Sequence, residues 1–162
     1  MIQIRLATVH DASLILRFIH ALAAYERQPE AVKVDEDVLR AQLSEAQPPF
    51  ECLIAEVDGA PSGFALFFTS YSTWLGKRGI WLEDLFVLPE VRRLGLGTAL
   101  LRRLGELAAE RDCGRLEWSV LDWNQPAIDF YASLGARVMG EWRICRVEGA
   151  ALQNFVPPTT KA

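Results

Sequence analysis

The residues with the clearest potential for chemistry are two adjacent carboxylates, Glu83 and Asp84, inside the otherwise apolar run from Ile80 to Val87. A carboxylate in a buried strand is costly unless it is hydrogen-bonded or opens onto a cavity. Neighbouring residues of a strand point to opposite faces, so the two acids cannot both lie on one solvent face. We therefore interpret Asp84 as a structural acid that holds loop N–H groups, and Glu83 as a functional acid.

A basic, glycine-rich turn follows this run with the spacing Arg92-x-x-Gly95-x-Gly97. Glycine lets the backbone come close to a ligand, and arginine offers a fork of donors that suits phosphate. From Leu96 onward the apolar residues recur at helical spacing, which predicts a helix whose N-terminus lies beside the turn. This order favours a phosphate-binding loop over a simple turn. Leu100 stands where the dinucleotide-binding fingerprint needs its third glycine, so that fingerprint is absent.

Length and composition restrict the class of protein. The 162 residues are 51% hydrophobic, enough for one domain with its own core. The net charge of −4 and the lack of a basic stripe argue against nucleic-acid binding. We expect neither a membrane helix nor a signal peptide, because no apolar stretch has the required length or pattern. Three widely spaced cysteines predict neither a disulfide framework nor a metal site, and they fit a cytoplasmic location.

The order of elements predicts an α+β fold. A hairpin signal at Asp58-Gly59 and a strand–helix–strand unit further on indicate one mixed, mostly antiparallel sheet of roughly six or seven strands with about four helices. The last strands are predicted as a pair, or as one bent strand, over Arg137–Met139 and Trp142–Val147. We expect a single domain over residues 1–156 and a loose C-terminal tail at 157–162.

Two motifs together resemble a known family. The Arg92-to-Gly97 turn after the apolar run is similar to the acetyl-coenzyme A signature of the GNAT acetyltransferase superfamily, and the match continues from Trp123 to Tyr131. Within it, the chain most resembles the spermidine/spermine acetyltransferase branch, which includes thialysine acetyltransferases. The residues that carry this closer match are Tyr25, Glu26, the run Phe68–Lys77 and the run Glu141–Arg143.

The resemblance implies a single GNAT-type domain in which two splayed strands hold acetyl-coenzyme A as a cosubstrate, without a metal. The strand that carries Glu83 would separate from the one that carries Trp118. Asn124 would hold the coenzyme or the loop end, although a simple helix cap is the alternative. The residues implied in coenzyme binding are Leu85, Phe86, Val87, Arg92, Arg93, Leu94, Gly95, Leu96, Gly97, Thr98, Asn124 and Pro126.

Acetylation of an amine sets three chemical requirements. The ammonium must lose a proton, the thioester carbonyl must be polarised, and the leaving thiolate must gain a proton. Glu83 is the candidate base, through a water, and a backbone N–H near Phe86 or Val87 is the candidate carbonyl donor. Tyr131 is the candidate acid. Its helical spacing alone favours an ordinary core aromatic, whereas the resemblance implies the acid role.

The predicted substrate is a primary amine on a small cationic molecule: a polyamine, a diamine or a lysine-like amino acid such as thialysine. Trp74, in the predicted loop from Ser70 to Gly79, is interpreted as a channel wall or a dimer contact. The end of the chain and the segment before Glu141 depart from the polyamine enzymes of the branch. The residues implied in substrate binding are Tyr25, Glu26, Trp74, Glu83, Glu117 and Glu141.

Two alternatives to a small-amine acetyltransferase remain open. A protein or peptide amine is the alternative acceptor, and a coenzyme-binding module without turnover is the alternative class. The presence of both Glu83 and Tyr131 argues against the latter. We expect a homodimer, because apolar strands and the segment around Trp142 suggest a sheet edge that needs cover.

Overall fold

Strand-forming segments in the first two thirds of the chain build a mixed sheet. In the computed structural model, which describes residues 1–155, its strands are β1 (Ile2–Leu6), β2 (Glu51–Val57), β3 (Ala60–Ser72), β4 (Lys77–Val87) and β5 (Leu116–Trp118). They lie in the order β1-β2-β3-β4-β5. The first three pairs are antiparallel, and β4 with β5 is parallel.

The helices fall into two units of the chain, which we describe separately. The first unit, Met1–Ser119, holds all five strands together with α1 (Ala12–Tyr25), α2 (Glu36–Leu43) and α3 (Leu96–Glu110). The second unit begins at Val120 and holds α4 (Gln125–Ser133) and α5 (Gly149–Gln153). Three short 3₁₀ helices lie at Val9–Asp11, Pro29–Ala31 and Pro89–Val91.

Local signals set where the helices of the first unit begin. Thr8 and Asp11 form a reciprocal capping box just before α1, in which the Thr8 N–H donates to Asp11 Oδ2 at 2.8 Å. Asp35 caps α2 by accepting a hydrogen bond from the Val38 N–H at 2.9 Å. Both caps satisfy backbone N–H groups that would otherwise lack a partner inside the helix.

Two layers of apolar side chains cover the two faces of the sheet. On one face α1 and α2 pack on the sheet, and the Phe18 ring stacks on the Phe64 ring at 5.4 Å between centroids. On the other face α3 buries its apolar stripe, as its helical spacing predicted. The buried residues of α3 are Leu96, Leu100, Leu101, Leu104 and Leu107.

A β-bulge interrupts β4 at Glu83. Leu82 lies opposite Phe67, whereas Asp84 lies opposite Leu66, so Glu83 has no partner on β3. The extra residue shifts the alternation of side chains by one place. Leu82 is therefore buried on the α3 face, whereas Phe86, four residues later, packs in the α1 face of the core.

The α+β fold class is confirmed, but the predicted strand count is too high. The sheet has five strands among the described residues, and no strand forms over the predicted segments Arg137–Met139 and Trp142–Val147. Alternation of apolar and polar residues does not by itself make a strand, because a strand forms only where a neighbouring segment pairs with its backbone. The predicted loop after Ser70 is also shorter, since β3 runs to Ser72. The predicted tail at 157–162 lies outside the described residues.

Candidate active site

The second half of β4 has an open edge. Its pairing with β5 spans only Ile80 to Leu82, and no strand of the described chain pairs with residues 83–87 on that side. The Leu88 N–H donates to the Ser62 carbonyl at 2.9 Å, so the Leu88 backbone faces β3. Because backbone directions alternate along a strand, Leu85 and Val87 present their amide groups to the open edge. Phe86, one of the three predicted edge residues, turns its backbone towards β3 instead.

The glycine loop leads directly into α3. Gly95 is the N-cap residue of that helix. Its φ of 91° lies in the left-handed region, which residues with a side chain rarely adopt. The N-cap makes no side-chain hydrogen bond, and the first turn carries no acidic residue. The N–H groups of Leu96, Gly97 and Thr98 therefore lie at a positive helix end to which no side chain is bonded as a cap. This arrangement fits an anionic group such as phosphate.

Arg92, the first residue of the loop motif, contacts three other groups of the site. Its Nε donates to the Val87 carbonyl at 3.0 Å. Its guanidinium carbon lies 4.8 Å from the centroid of the Tyr25 ring and 5.7 Å from that of Phe86. The loop, the end of β4 and the end of α1 thus meet at this one side chain.

The two carboxylates of β4 have different environments. Glu83, on the bulge, is exposed, and its Oε2 accepts a hydrogen bond from Trp81 Nε1 at 2.9 Å. Asp84 is half-buried. Burial, and then the charges of Glu83 and Glu26, raise its pKa to about 6. Burial also raises the pKa of Glu26, which caps the end of α1. The carboxyl whose pKa is strongly raised is therefore that of Asp84, whereas Glu83, the predicted functional acid, is exposed and hydrogen-bonded.

Two other predicted substrate residues of the first unit lie on strands or turns of the sheet. Glu117, on β5, forms an ion pair with Arg115 at 2.6 Å, which reduces its pull on a cationic substrate. Trp74 lies in the turn between β3 and β4 and is 86% exposed, as its position between Ser70 and Gly79 predicted.

The predicted residues of the second unit lie on and after α4. Asn124 is buried and caps α4, and its Oδ1 accepts from the Ala127 N–H at 3.4 Å, so the helix-cap interpretation of this residue is confirmed. Pro126 lies in the first turn of that helix. The Tyr131 ring lies 5.4 Å from the Phe130 ring, between centroids. Glu141 is exposed in the segment that follows α4.

Sequence reasoning missed the special environment of Asp84. A sequence signal for it does exist: Asp84 and Phe86 are two residues apart on one strand, so an inward-facing Phe86 implies an inward-facing Asp84. The bulge at Glu83, which separates these residues from Leu82, cannot be read from the spacing alone.

Among residues 1–155, no helix is both long and apolar enough to cross a membrane. In the same range, no group of three or more His, Cys, Asp or Glu side chains is placed to hold a metal ion.

Comparison with known proteins places this geometry in a family. Residues 16–136 match the Acetyltransferase (GNAT) family. A thialysine N-epsilon-acetyltransferase of Bos taurus is 40% identical over 95% of this chain and 96% of its own length. An L-ornithine N5-acetyltransferase of Arabidopsis thaliana is 32% identical over 93% of this chain and 86% of its own.

Solved structures agree with this match. An integron cassette protein from the mobile metagenome of V. cholerae superposes with a TM-score of 0.78 at 25% identity, covering 95% of this chain and 96% of its own. The family match and the two relatives agree with the open strand edge and the uncapped helix end described above. We conclude that the chain belongs to the GNAT family of acetyltransferases and is an N-acetyltransferase.

Proposed function

We propose that the enzyme transfers the acetyl group of acetyl-coenzyme A to the side-chain amine of a small cationic molecule, with thialysine or another lysine-like amino acid ahead of a diamine or polyamine. The observation that carries the proposal is the acidic cluster of Glu26, Glu83 and Asp84 beside the loop. Negative charge here favours a cationic acceptor. Two relatives named for thialysine and L-ornithine, both amino acids with a side-chain amine, support this order.

The coenzyme would lie along two features of the first unit. The open-edge amides of Leu85 and Val87 would bond its amide-bearing arm, and the N–H groups of Leu96, Gly97 and Thr98 would hold its phosphates. Arg92, Arg93 and Leu94 complete the loop, and Asn124 and Pro126 remain proposed contacts. Acetyl-coenzyme A supplies an acetyl thioester that an amine can attack directly. Phe86 has its backbone turned towards β3, so we assign the carbonyl-polarising N–H to its neighbours on the strand.

Residues of the chain would move the two protons. The charge of Glu83 raises the pKa of Asp84, so we propose that the two carboxyls together accept the ammonium proton, with a water between Glu83 and the amine. Tyr131 would donate a proton to the departing sulfur, because a phenol pKa near 10 suits a thiolate of similar basicity.

The test of the function is a thiol-release assay with acetyl-coenzyme A and a panel of amines: thialysine, lysine, ornithine, putrescine, spermidine, spermine and a lysine peptide. Acetylation of thialysine or ornithine with kcat/KM at least about tenfold above that of the polyamines would support the proposal. Acetylation of the peptide alone would make the protein a peptide acetyltransferase. Coenzyme binding without turnover of any amine would favour a binding module.

Two carboxyl-to-amide variants separate the roles of the acids. Asp84→Asn and Glu83→Gln keep size while removing charge. Loss of a general base lowers kcat by about 10²- to 10⁴-fold. If Asp84 holds the proton, wild-type kcat/KM falls by about tenfold per pH unit below pH 6, and only Asp84→Asn abolishes that fall. If Glu83 is the base, Glu83→Gln has the larger loss at every pH.

Assembly and location are further parts of the proposal. We propose a homodimer, supported by the exposed apolar side chains of Trp74, Leu75 and Trp142, which a partner could cover. A monomer mass in sedimentation at micromolar concentration would reject it. We propose a cytoplasmic location, supported by three free cysteines, Cys52, Cys113 and Cys145. Fractionation of the source cells is the direct check.

A further inference from the structure

We propose that Tyr25 is a positioning residue for acetyl-coenzyme A: its ring holds the Arg92 guanidinium in the orientation that receives a coenzyme phosphate. This inference rests on the proposed function. It also differs from the expectation drawn from family resemblance, which places Tyr25 on the amine side of the site. It assigns the end of α1 two separate tasks, with Tyr25 serving the coenzyme and the adjacent Glu26 serving the amine.

Neighbouring groups hold the Arg92 side chain in place. Its Nε donates a hydrogen bond to the Val87 carbonyl, and its guanidinium carbon lies over the Tyr25 ring, with the Phe86 ring slightly further away. Within the described residues its two Nη groups make no hydrogen bond to the protein. The guanidinium is therefore held at its Nε and lies against the Tyr25 ring, and its remaining donors are left for a ligand.

Arg92 lies where a phosphate ligand would need it. It precedes Gly95, the N-cap of α3, whose first turn offers bare N–H groups and no acidic side chain. An arginine has many rotamers, and holding it in place before the ligand arrives reduces the entropy lost on binding. Because the Tyr25 ring supplies part of this support, its loss should weaken coenzyme binding, with the effect passing through Arg92.

The adjacent Glu26 supports the division of tasks. The charge of Glu26 acts on Asp84, and burial raises its own pKa, so this side chain belongs to the acidic cluster. Tyr25 is 38% exposed and has the Arg92 guanidinium 4.8 Å from its ring centroid, so part of its aromatic surface is committed to an arginine and not to an amine.

The test is a double-mutant cycle on coenzyme affinity, measured by calorimetry with coenzyme A and with acetyl-coenzyme A. Tyr25→Leu removes the aromatic face, and Tyr25→Phe keeps the face while removing the hydroxyl. An exposed cation–π contact corresponds to about two- to fivefold in affinity. We expect Tyr25→Leu to raise the coenzyme Kd by that factor, and Tyr25→Phe to leave it within about twofold of wild type. In an Arg92→Gln background, Tyr25→Leu should cause no further loss.

Two readouts separate this role from a general structural one. Thermal melting shows whether Tyr25→Leu is folded, and Tyr25→Met replaces it as the variant without the aromatic face if it is not. The KM for the amine, measured at saturating acetyl-coenzyme A, should change less than the coenzyme Kd. Equal losses in the wild-type and Arg92→Gln backgrounds would overturn the inference. A raised amine KM with an unchanged coenzyme Kd would return Tyr25 to the amine side.

The outcomes also distinguish this inference from the proposed function. If the wild-type protein binds no coenzyme, the proposed function fails and this inference fails with it. If the wild-type protein binds coenzyme and acetylates an amine while Tyr25→Leu binds coenzyme equally well, only the role of Tyr25 is rejected.

Discussion

Asp84 on β4 lies directly opposite Leu66 on β3, on the side of the sheet that α1 covers. This pairing exists because Glu83 is bulged out of the ladder, so the Asp84 carboxyl turns to the α1 face, whereas regular alternation from Leu82 would place it on the α3 face. Burial of this carboxyl, and then the charges of Glu83 and Glu26, raise its pKa. A site that keeps an unfavourable charge in this way gives up stability for function.

The first prediction is that Asp84→Asn stabilises the protein at pH 8. A carboxyl whose pKa is raised from 3.8 to about 6 favours the folded state when protonated, and this contribution is lost as the pH rises through 6. The amide variant stays neutral, so its free energy of unfolding at pH 8 should exceed that of wild type by about 1–3 kcal/mol. This difference in the free energy of unfolding should disappear by about pH 3.5. Urea unfolding at both pH values measures it.

The matched control for that experiment is Glu83→Gln, because Glu83 is exposed. Its free energy of unfolding should change by less than about 0.5 kcal/mol. If Asp84→Asn is less stable than wild type at both pH values, Asp84 makes structural hydrogen bonds, as its sequence context first suggested.

The second prediction concerns Asp11, which accepts two hydrogen bonds from Arg5 at 2.8 and 2.9 Å. The Arg5 guanidinium, with the Thr8 hydrogen bonds, lowers the pKa of Asp11 to about 2. A lowered pKa contributes stability that is present above about pH 4 and lost as the pH falls through 2. Asp11→Asn should cost about 2 kcal/mol at pH 7.

The pH dependence of this loss is the sharper measurement. The difference in the free energy of unfolding between Asp11→Asn and wild type should become smaller as the pH falls from about 4 to 2. Glu36→Gln on α2 is the matched control, since Glu36 pairs with Arg40 on an exposed surface. Glu36→Gln should lower the free energy of unfolding by less than about 0.5 kcal/mol. Equal losses for the two variants would contradict a special role for the Arg5–Asp11 pair.

The third prediction is that Gly63→Ala displaces the open edge of β4. A Cβ at Gly63 would lie 2.7 Å from the Phe86 carbonyl oxygen and 3.3 Å from the Val87 Cα, both of them backbone atoms. Because backbone atoms cannot shift without disturbing the strand, we expect the free energy of unfolding to fall by about 1–3 kcal/mol and coenzyme binding to weaken. Chemical unfolding and calorimetry with coenzyme A measure the two effects.

Gly105→Ala on α3 is the matched control for this glycine. A Cβ there meets nothing within 4 Å, and the position is an exposed helix interior. The substitution should stabilise the protein by about 0.5–1 kcal/mol and leave the coenzyme Kd unchanged. Unchanged coenzyme binding by Gly63→Ala would show that the edge tolerates the displacement.

The fourth prediction tests the proposed acid. Tyr131→Phe keeps the ring contact with Phe130 while removing the hydroxyl, so kcat should fall by about 10²- to 10⁴-fold with little change in coenzyme Kd. Tyr71→Phe, at a tyrosine that is 62% exposed on β3, is the control and should keep wild-type turnover. Turnover of Tyr131→Phe equal to that of Tyr71→Phe would reject the acid role.

The features that the sequence predicted well are local. The helix after Gly95 and the hairpin at Asp58-Gly59 each depend on residues within a few positions of one another. Short-range spacing carries the information about φ, capping and amphipathic faces. The strands predicted over Arg137–Met139 and Trp142–Val147 are absent, because pairing depends on a distant partner that no local pattern specifies.

The sequence by itself determined the chemistry that is available: two adjacent acids, an arginine–glycine turn before a helix, and a tyrosine on a later helix. Only the tertiary structure decided which acid is buried, which amides face the open edge, and that Arg92 lies on Tyr25. The physical reason is that burial and orientation depend on the register between strands. A single extra residue at Glu83 changes that register, and the spacing of residue types in the sequence does not reveal the bulge.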